Sequence, residues 1–306
     1  NLGNASGGLT FDGGTLRVTG TEYATTTRSI TLESGGGGFD ISDLDHVFTL
    51  NQTLTGTGGL TKSGDGTLVL NGVNNYEGLT EVSDGTLIIG GDTVHKTALV
   101  SGDVIVRNGG NLGGHGAVGG DLINSGRVSP ASPLDDISVF TVHGDYTQTE
   151  DGTLQIDADP EKAIADKLIV GRKANLDGTL LVNPANDTAW HMKQVVVDAA
   201  GGVSGTFDDV VDNSDTLDTI AGYDANTAFI DIYKNNVVFH DVDDLTENQS
   251  STAGALDGLP KDGEIVRAVL EEGEANAPKS FDALSGELHA DVASAMLGAE
   301  RVTRLV

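Results

Sequence analysis

Asp65-Gly66-Thr67-Leu68-Val69-Leu70 is followed one short interval later by Asp84-Gly85-Thr86-Leu87-Ile88-Ile89. In each phrase an Asp-Gly pair turns the chain, because Gly accepts positive φ and Asp bonds the nearby backbone. The alternation that follows puts Leu and its partner on one face of a short strand. The same phrase recurs as Gly14-Thr15-Leu16, Gly152-Thr153-Leu154 and Gly178-Thr179-Leu180, the last two again led by Asp151 and Asp177. The interval from Asp65 to Asp84 is close to one solenoid coil of roughly 20 residues. A coil so short cannot bury its own apolar face and must stack on a neighbour, so Leu68 and Leu87 are expected to line a shared core. A β-sandwich is the rival architecture, since it also has many short strands between turns. Repetition of Gly-Thr-Leu and an aromatic content of 5% favour coils.

Composition agrees with a turn-rich surface protein. The chain has 306 residues, 43 of them Gly and 6 Pro, with no collagen period. Cysteine is absent, so neither a disulfide nor a Cys-ligated metal can brace the fold. A formal net charge of −29 repels nucleic acid and anionic lipid and keeps a long exposed protein soluble. No apolar run reaches the length of a membrane helix, and Asn1-Leu2-Gly3-Asn4 has no basic, apolar leader character, so an interior piece of a longer chain is expected.

Ser129-Pro130-Ala131-Ser132-Pro133 breaks the pattern, and regular coiling is expected to end there. The segments Phe140 to Thr147, Leu154 to Ala158, Lys167 to Val170, Thr179 to Asn183, Gln194 to Val197, Thr227 to Tyr233 and Asn236 to Phe239 read as further strands. Large side chains gather in this part: Tyr146, Trp190, Phe207, Tyr223, Phe229, Tyr233 and Phe239. They suit a module that seals the open end of a solenoid. Beyond Asp243, Ser251 to Leu256 and Glu264 to Glu272 read as helices. Ser280 is a candidate N-cap for a third, whose apolar positions run from Phe281 through Leu284, Leu288, Val292 and Met296 to Val302. Arg301 and Arg304 sit where the dipole of that helix favours positive charge.

Residues 56–90 resemble the passenger-associated transport repeat of bacterial autotransporters (type V secretion). The resemblance rests on Leu60-Thr61-Lys62-Ser63-Gly64, Asn74-Asn75-Tyr76-Glu77-Gly78 and Gly85-Thr86-Leu87. Asn111-Leu112-Gly113-Gly114 and Asn124-Ser125-Gly126-Arg127-Val128-Ser129-Pro130 are similar to such passengers too, although Ala131 stands where Gly is usual. Val142-His143-Gly144-Asp145-Tyr146 and Gly201-Gly202-Val203-Ser204-Gly205-Thr206-Phe207 resemble the autochaperone end of a passenger. Leu284-Ser285-Gly286-Glu287-Leu288-His289-Ala290 is similar to the stretch before the translocator barrel. The resemblance implies a right-handed parallel β-helix over residues 1–138, an autochaperone cap over 139–245, a helical linker over 246–276 and a helix over 277–306 leading into an outer-membrane barrel absent from this chain. It implies secretion or display on a Gram-negative cell, with that barrel and the outer-membrane assembly machinery as partners. A monomer is expected.

Signs of chemistry are few. There is no G-x-S-x-G elbow. The histidines, at 46, 95, 115, 143, 191, 240 and 289, include no i, i+4 pair for zinc. Among so many Asp and Ser residues some Ser-His-Asp set is expected by chance. Gly113-Gly114-His115-Gly116 lacks the Lys-Ser/Thr of a phosphate loop, and Gly119-Gly120-Asp121 lacks the tandem series of a calcium repeat. Asp157, Asp159 and Glu161 cluster, but Pro160 interrupts them. No cofactor or metal is expected. The expected function is a non-catalytic stalk and autochaperone presenting an upstream effector. The residues expected to carry folding are Leu68, Tyr76, Leu87, Tyr146, Trp190, Phe207, Phe229 and Tyr233. The competing readings are an adhesin β-helix binding a surface ligand and a β-helix enzyme acting on glycans; scarce Lys and Arg in residues 1–138 oppose binding of an acidic sugar.

Overall fold

The structure is a computed structural model that describes residues 7–130 and 137–286. The second proline of the interruption, Pro133, and the helical positions from Leu288 to Val302 lie outside the described residues. The backbone divides into two compact units. One holds the described residues up to Asn186 with Lys193–Asn213 and Thr219–Asp231; the other holds Asp187–Met192, Ser214–Asp218 and the described residues from Ile232 onward.

The first unit is a parallel β-helix. Each coil lays down three short strands, and like strands of successive coils pair in parallel to make three faces. The first face runs from Gly14–Val18 through Leu60–Ser63, Val104–Val106 and Tyr146–Gln148 to Val203–Gly205. The second runs from Val47–Leu50 through Thr67–Leu70, Gly85–Ile89 and Thr153–Asp159 to Asp209–Asp212. The third includes Leu99–Val100, Val139–Val142 and Lys167–Val170. It is continued toward the N-terminus by Leu9–Phe11, Ile30–Leu32 and Leu54–Gly56, joined through Asn75 N–H to Leu54 O (3.0 Å) and Glu77 N–H to Gly56 O (3.0 Å).

The core is built from ladders, each residue lying over its counterpart one coil away. Phe48, Leu68, Leu87, Leu112, Val128, Leu154 and Leu180 form one continuous column on the second face, and all are buried. Two of the recurring phrases owe their glycine to conformation: Gly85 and Gly178 have φ of 64° and 59°. Gly66 has another reason. A Cβ there would lie 2.3 Å from Asp43 O of the preceding coil, so stacking itself excludes a side chain.

Parallel pairing does not stop at the two prolines. Leu122 pairs with Tyr146 and Arg127 with Thr153 across that stretch, and the ladders continue to Asp212. The hydrogen-bonded faces on either side of the interruption stay in register. The expected single strand from Phe140 to Thr147 is two strands, Val139–Val142 and Tyr146–Gln148. Gly144 stands at the corner between them, where its N–H bonds Gly120 O (3.1 Å). Near the end of the third face, Leu217–Tyr223 and Thr227–Lys234 are neighbours joined by three residues, a connection too short for parallel strands.

The second unit contains three helices, α1 (Glu247–Asp257), α2 (Glu264–Glu272) and α3 (Ala277–Ser285). Thr246 and Gln249 close a reciprocal capping box on α1. The N-cap of α3 is Asn276, four residues before the expected Ser280. Pro278 lies in the first turn, where its missing N–H would have had no intrahelical partner. Gly286, in the left-handed region at φ 78°, ends that helix. Asn236 to Phe239 is not a strand: Val237 O accepts from Lys261 Nζ (2.9 Å), and Phe239 N–H donates to Asp257 Oδ1 (2.7 Å). Side chains of the helical segment have taken the backbone groups that a sheet would need.

Leu87 is enclosed between Leu68 and Leu112 in the column, so its truncation opens a cavity that neither rigid neighbour can fill. Leu87→Ala is expected to lower unfolding free energy by about 2–5 kcal/mol in urea titration. A loss below about 1 kcal/mol would show that the column does not carry the stack.

Candidate functional site

The coil at residues 60–89 turns polar side chains inward at its corners. Strand Leu60–Ser63 alternates so that Leu60 and Lys62 point into the core. Lys62 is fully buried and lies in register between Phe39 and Val82. Its Nζ donates to Ser63 O (2.9 Å), Gly64 O (2.7 Å) and Asp84 O (3.1 Å), three main-chain carbonyls of corner turns. Burial pulls its pKa down to about 8, while the carboxylates of Asp40, Asp84 and Asp65 resist that fall. Asn74, at another corner, accepts from Leu54 N–H (3.0 Å) and donates to Gly72 O (3.0 Å) and Leu99 O (3.1 Å). Tyr76 is wholly buried with its hydroxyl 2.5 Å from Thr80 Oγ1, and burial raises its phenol pKa well above the usual range.

Three coils further on from Lys62 the theme repeats. Asn124 follows Val106 in the ladder that contains Lys62, and Gln148 follows Asn124. Asn124 Nδ2 donates to Thr153 O (3.0 Å), and Gln148 Nε2 donates to Gly152 O (3.1 Å), Asp177 O (2.7 Å) and Thr179 O (3.0 Å). Tyr146 O–H closes the group by donating to Gln148 Oε1 (2.6 Å). These buried amides satisfy turn carbonyls that water cannot reach. Their role is not legible in local sequence, because the carbonyls they satisfy lie partly in the next coil.

The aromatic residues expected to act together fall into separate groups. In the first unit, Tyr223 Oη accepts from Phe207 N–H (3.0 Å), and the Phe229 ring lies over Gly222 with Lys193 Nζ 3.9 Å from its centroid. In the second, half-buried Trp190 meets Phe239 edge-on at 5.7 Å, and Phe239 meets Phe281 at 6.1 Å. Tyr233 stacks on His191 (4.9 Å) and donates to Glu271 (2.9 Å). Large rings are not confined to residues beyond 139. Phe11, Phe39 and Phe48 form a chain at 5.5 and 6.0 Å inside the N-terminal coils, and Tyr23 stacks on Phe48 at 5.8 Å. The signal was present in the inward positions of alternating strands, but low aromatic content drew attention from it.

The Ser-His-Asp set expected by chance does occur. Ser138 Oγ lies 2.6 Å from His115 Nδ1, and both residues are buried. Asp166 accepts Ser138 N–H (2.6 Å) on one oxygen and Asp157 N–H (3.0 Å) on the other. Burial, with the charge of Asp157 beside it, holds the Asp166 carboxyl up at about 7. The carboxylate therefore organises backbone rather than orienting the imidazole for base catalysis. Nearby, Asp157, Asp159, Lys162 and Asn183 line a cleft of about 400 Å³. Asp159 is engaged there by Lys162 Nζ (2.6 Å) and Asn186 Nδ2 (2.8 Å). Glu161, grouped with these carboxylates in the sequence, is exposed.

The stretch with the buried lysine is also one that a known family matches. Residues 60–89 match the Passenger-associated-transport-repeat family. The chain is 39% identical over 74 residues to an adhesin, the BmaC autotransporter of Brucella suis biovar 1 (strain 1330), covering 24% of this chain and 2% of that protein. It is 26% identical over a 315-residue alignment to an extracellular serine protease of Serratia marcescens, covering 83% of this chain and 28% of that protein. The chain thus spans well under a third of either relative. The matched repeat is built into a stack of parallel β-helix coils. The repeat match and the two relatives support a passenger portion of an autotransporter, secreted or held at the cell surface.

Asp166 has a higher pKa folded than unfolded, so its contribution to stability is fully present below about 3.8 and is lost as pH rises through about 7. The urea midpoint of the native chain is expected to fall relative to that of Asp166→Asn across this window. Parallel pH profiles for the two proteins would show that the carboxyl is not held in its protonated form.

Proposed function

We propose that this chain is a non-catalytic stalk with its own folding aid. Residues 139–245 act as the autochaperone, residues 1–138 form the stalk that presents an effector elsewhere in the longer protein, and residues 246–276 and 277–306 connect toward a translocator barrel. The observation that carries the reading is the transport repeat, whose five strands include pairs stacked on one another and pairs in register with the coils on either side. A coil of that kind gains its core only from its neighbours, so a folded C-terminal portion offers a template for the coils that leave the cell after it. Vectorial folding would then disfavour slipping back through the pore without ATP. Outer-membrane assembly factors and the barrel are the partners this reading implies.

The Ser138 and His115 pair lends the enzyme reading little, since both residues are buried. An adhesin is the second reading, favoured by the likeness to the Brucella adhesin; the flank of the coils would then bind a surface ligand.

The test is refolding of residues 1–138 alone against the whole chain, followed by protease resistance. Coils are expected to become resistant more slowly without residues 139–245. Equal rates would overturn the autochaperone role and leave that segment a mere lid.

A further inference from the structure

Along one inward ladder of the first face, Phe39, Lys62, Val82, Val106, Asn124 and Gln148 succeed one another. Three of these positions are polar, and all three side chains are buried. Their donors point the same way along the stack. Lys62 Nζ bonds the corner of its own coil at Ser63 O and Gly64 O, and then Asp84 O one coil nearer the C-terminus. Asn124 Nδ2 donates to Thr153 O of the next coil while its Oδ1 holds Gly126 N–H at home (3.1 Å). Gln148 Nε2 takes Gly152 O locally and Asp177 O and Thr179 O of the next coil.

The two ends of any partial stack therefore differ. A stack grown from the C-terminus presents formed turns whose carbonyls await an incoming donor. A stack grown from the N-terminus would end in a hydrated ammonium or amide. An unfolded coil arriving there must strip that water before it has made the turn that replaces it, and burying an unpaired polar or charged group is costly. Thermodynamically the finished stack is the same by either route; the barrier is not.

We infer that Lys62, Asn124 and Gln148 set the direction of coil addition, so that each coil docks onto a C-terminal neighbour already folded. This rests on the reading of the chain as one that templates its own folding. Apolar side chains do occupy two other rungs of the same ladder, Val82 and Val106.

Pulse-labelled hydrogen exchange during refolding of the full chain reads the order directly. The amides of Ala174, Leu122 and Thr80 each donate to a carbonyl in the next coil, at Gly202, Asp145 and Asp103. In the native sequence they are expected to gain protection in that order. A triple variant, Lys62→Met, Asn124→Val and Gln148→Leu, is expected to keep the native far-ultraviolet spectrum but lose the lag between them. Lys62→Gln, which retains a donor, should keep it. Should the triple variant fail to fold, Gln148→Leu alone is expected to abolish only the lag between Ala174 and Leu122. An ordered wild type with the lag unchanged in the folded variants overturns this inference and leaves the templating reading standing. A wild type with no order overturns the templating reading itself.

Discussion

A three-strand coil has an inner face of a few Leu, Val and Ile side chains and nothing within itself to cover them. Burial can come only from the coil above and the coil below, which is why the column from Phe48 to Leu180 must stay in register over seven successive coils. The constraint reaches the turns as well. Backbones must approach closely at the corners for the columns to touch, and Gly66 is glycine because the Asp43 carbonyl already occupies the space. It also decides which polar groups can be buried. A corner carbonyl cut off from water needs a donor, and Lys62, Asn74, Asn124 and Gln148 supply it from within the core.

Much of this was legible in residues. Four of the five Gly-Thr-Leu phrases marked second-face strands, the one at Gly14 lying on the first face, and Leu68 and Leu87 fall in one column as the alternation predicted. The transport repeat was visible in Leu60-Thr61-Lys62 and in Asn74-Asn75-Tyr76, and it matches residues 60–89. What the pattern hid has one common cause: the environment of a corner is made by a neighbouring coil, not by local sequence. Lys62 looks like a solvated strand residue until Asp84 of the next coil is in view. The two prolines looked like an ending because local texture changed, yet strand pairing depends on residues some two dozen positions away, such as Leu122 with Tyr146. The N-cap of α3 is Asn276 rather than Ser280, since Pro278 belongs to the first turn. Of the folding residues, Tyr76 and Tyr146 are wholly buried, while Trp190 remains half-exposed beside Phe239.

The lack of cysteine fits the same physics. Without cross-links, each hydrogen-bonded ladder and each column must form by contact alone. The high negative charge sits with this: most carboxylates face outward, where they discourage edge-to-edge association of the open sheets.

The spacing between paired strands is uneven. Val104 pairs with Leu122 eighteen residues on, whereas Ala174 pairs with Val203 twenty-nine residues on. The rise from one coil to the next is fixed by hydrogen bonding between strands at about 4.7–4.9 Å, whatever length of chain is spent at the corners. Distance along the stack axis is therefore counted in turns of the helix rather than in residues. Selection can lengthen or decorate a corner loop, and so change what the flank displays, without altering how far the coils extend. Adding or deleting whole coils changes the extension and leaves each corner as it was.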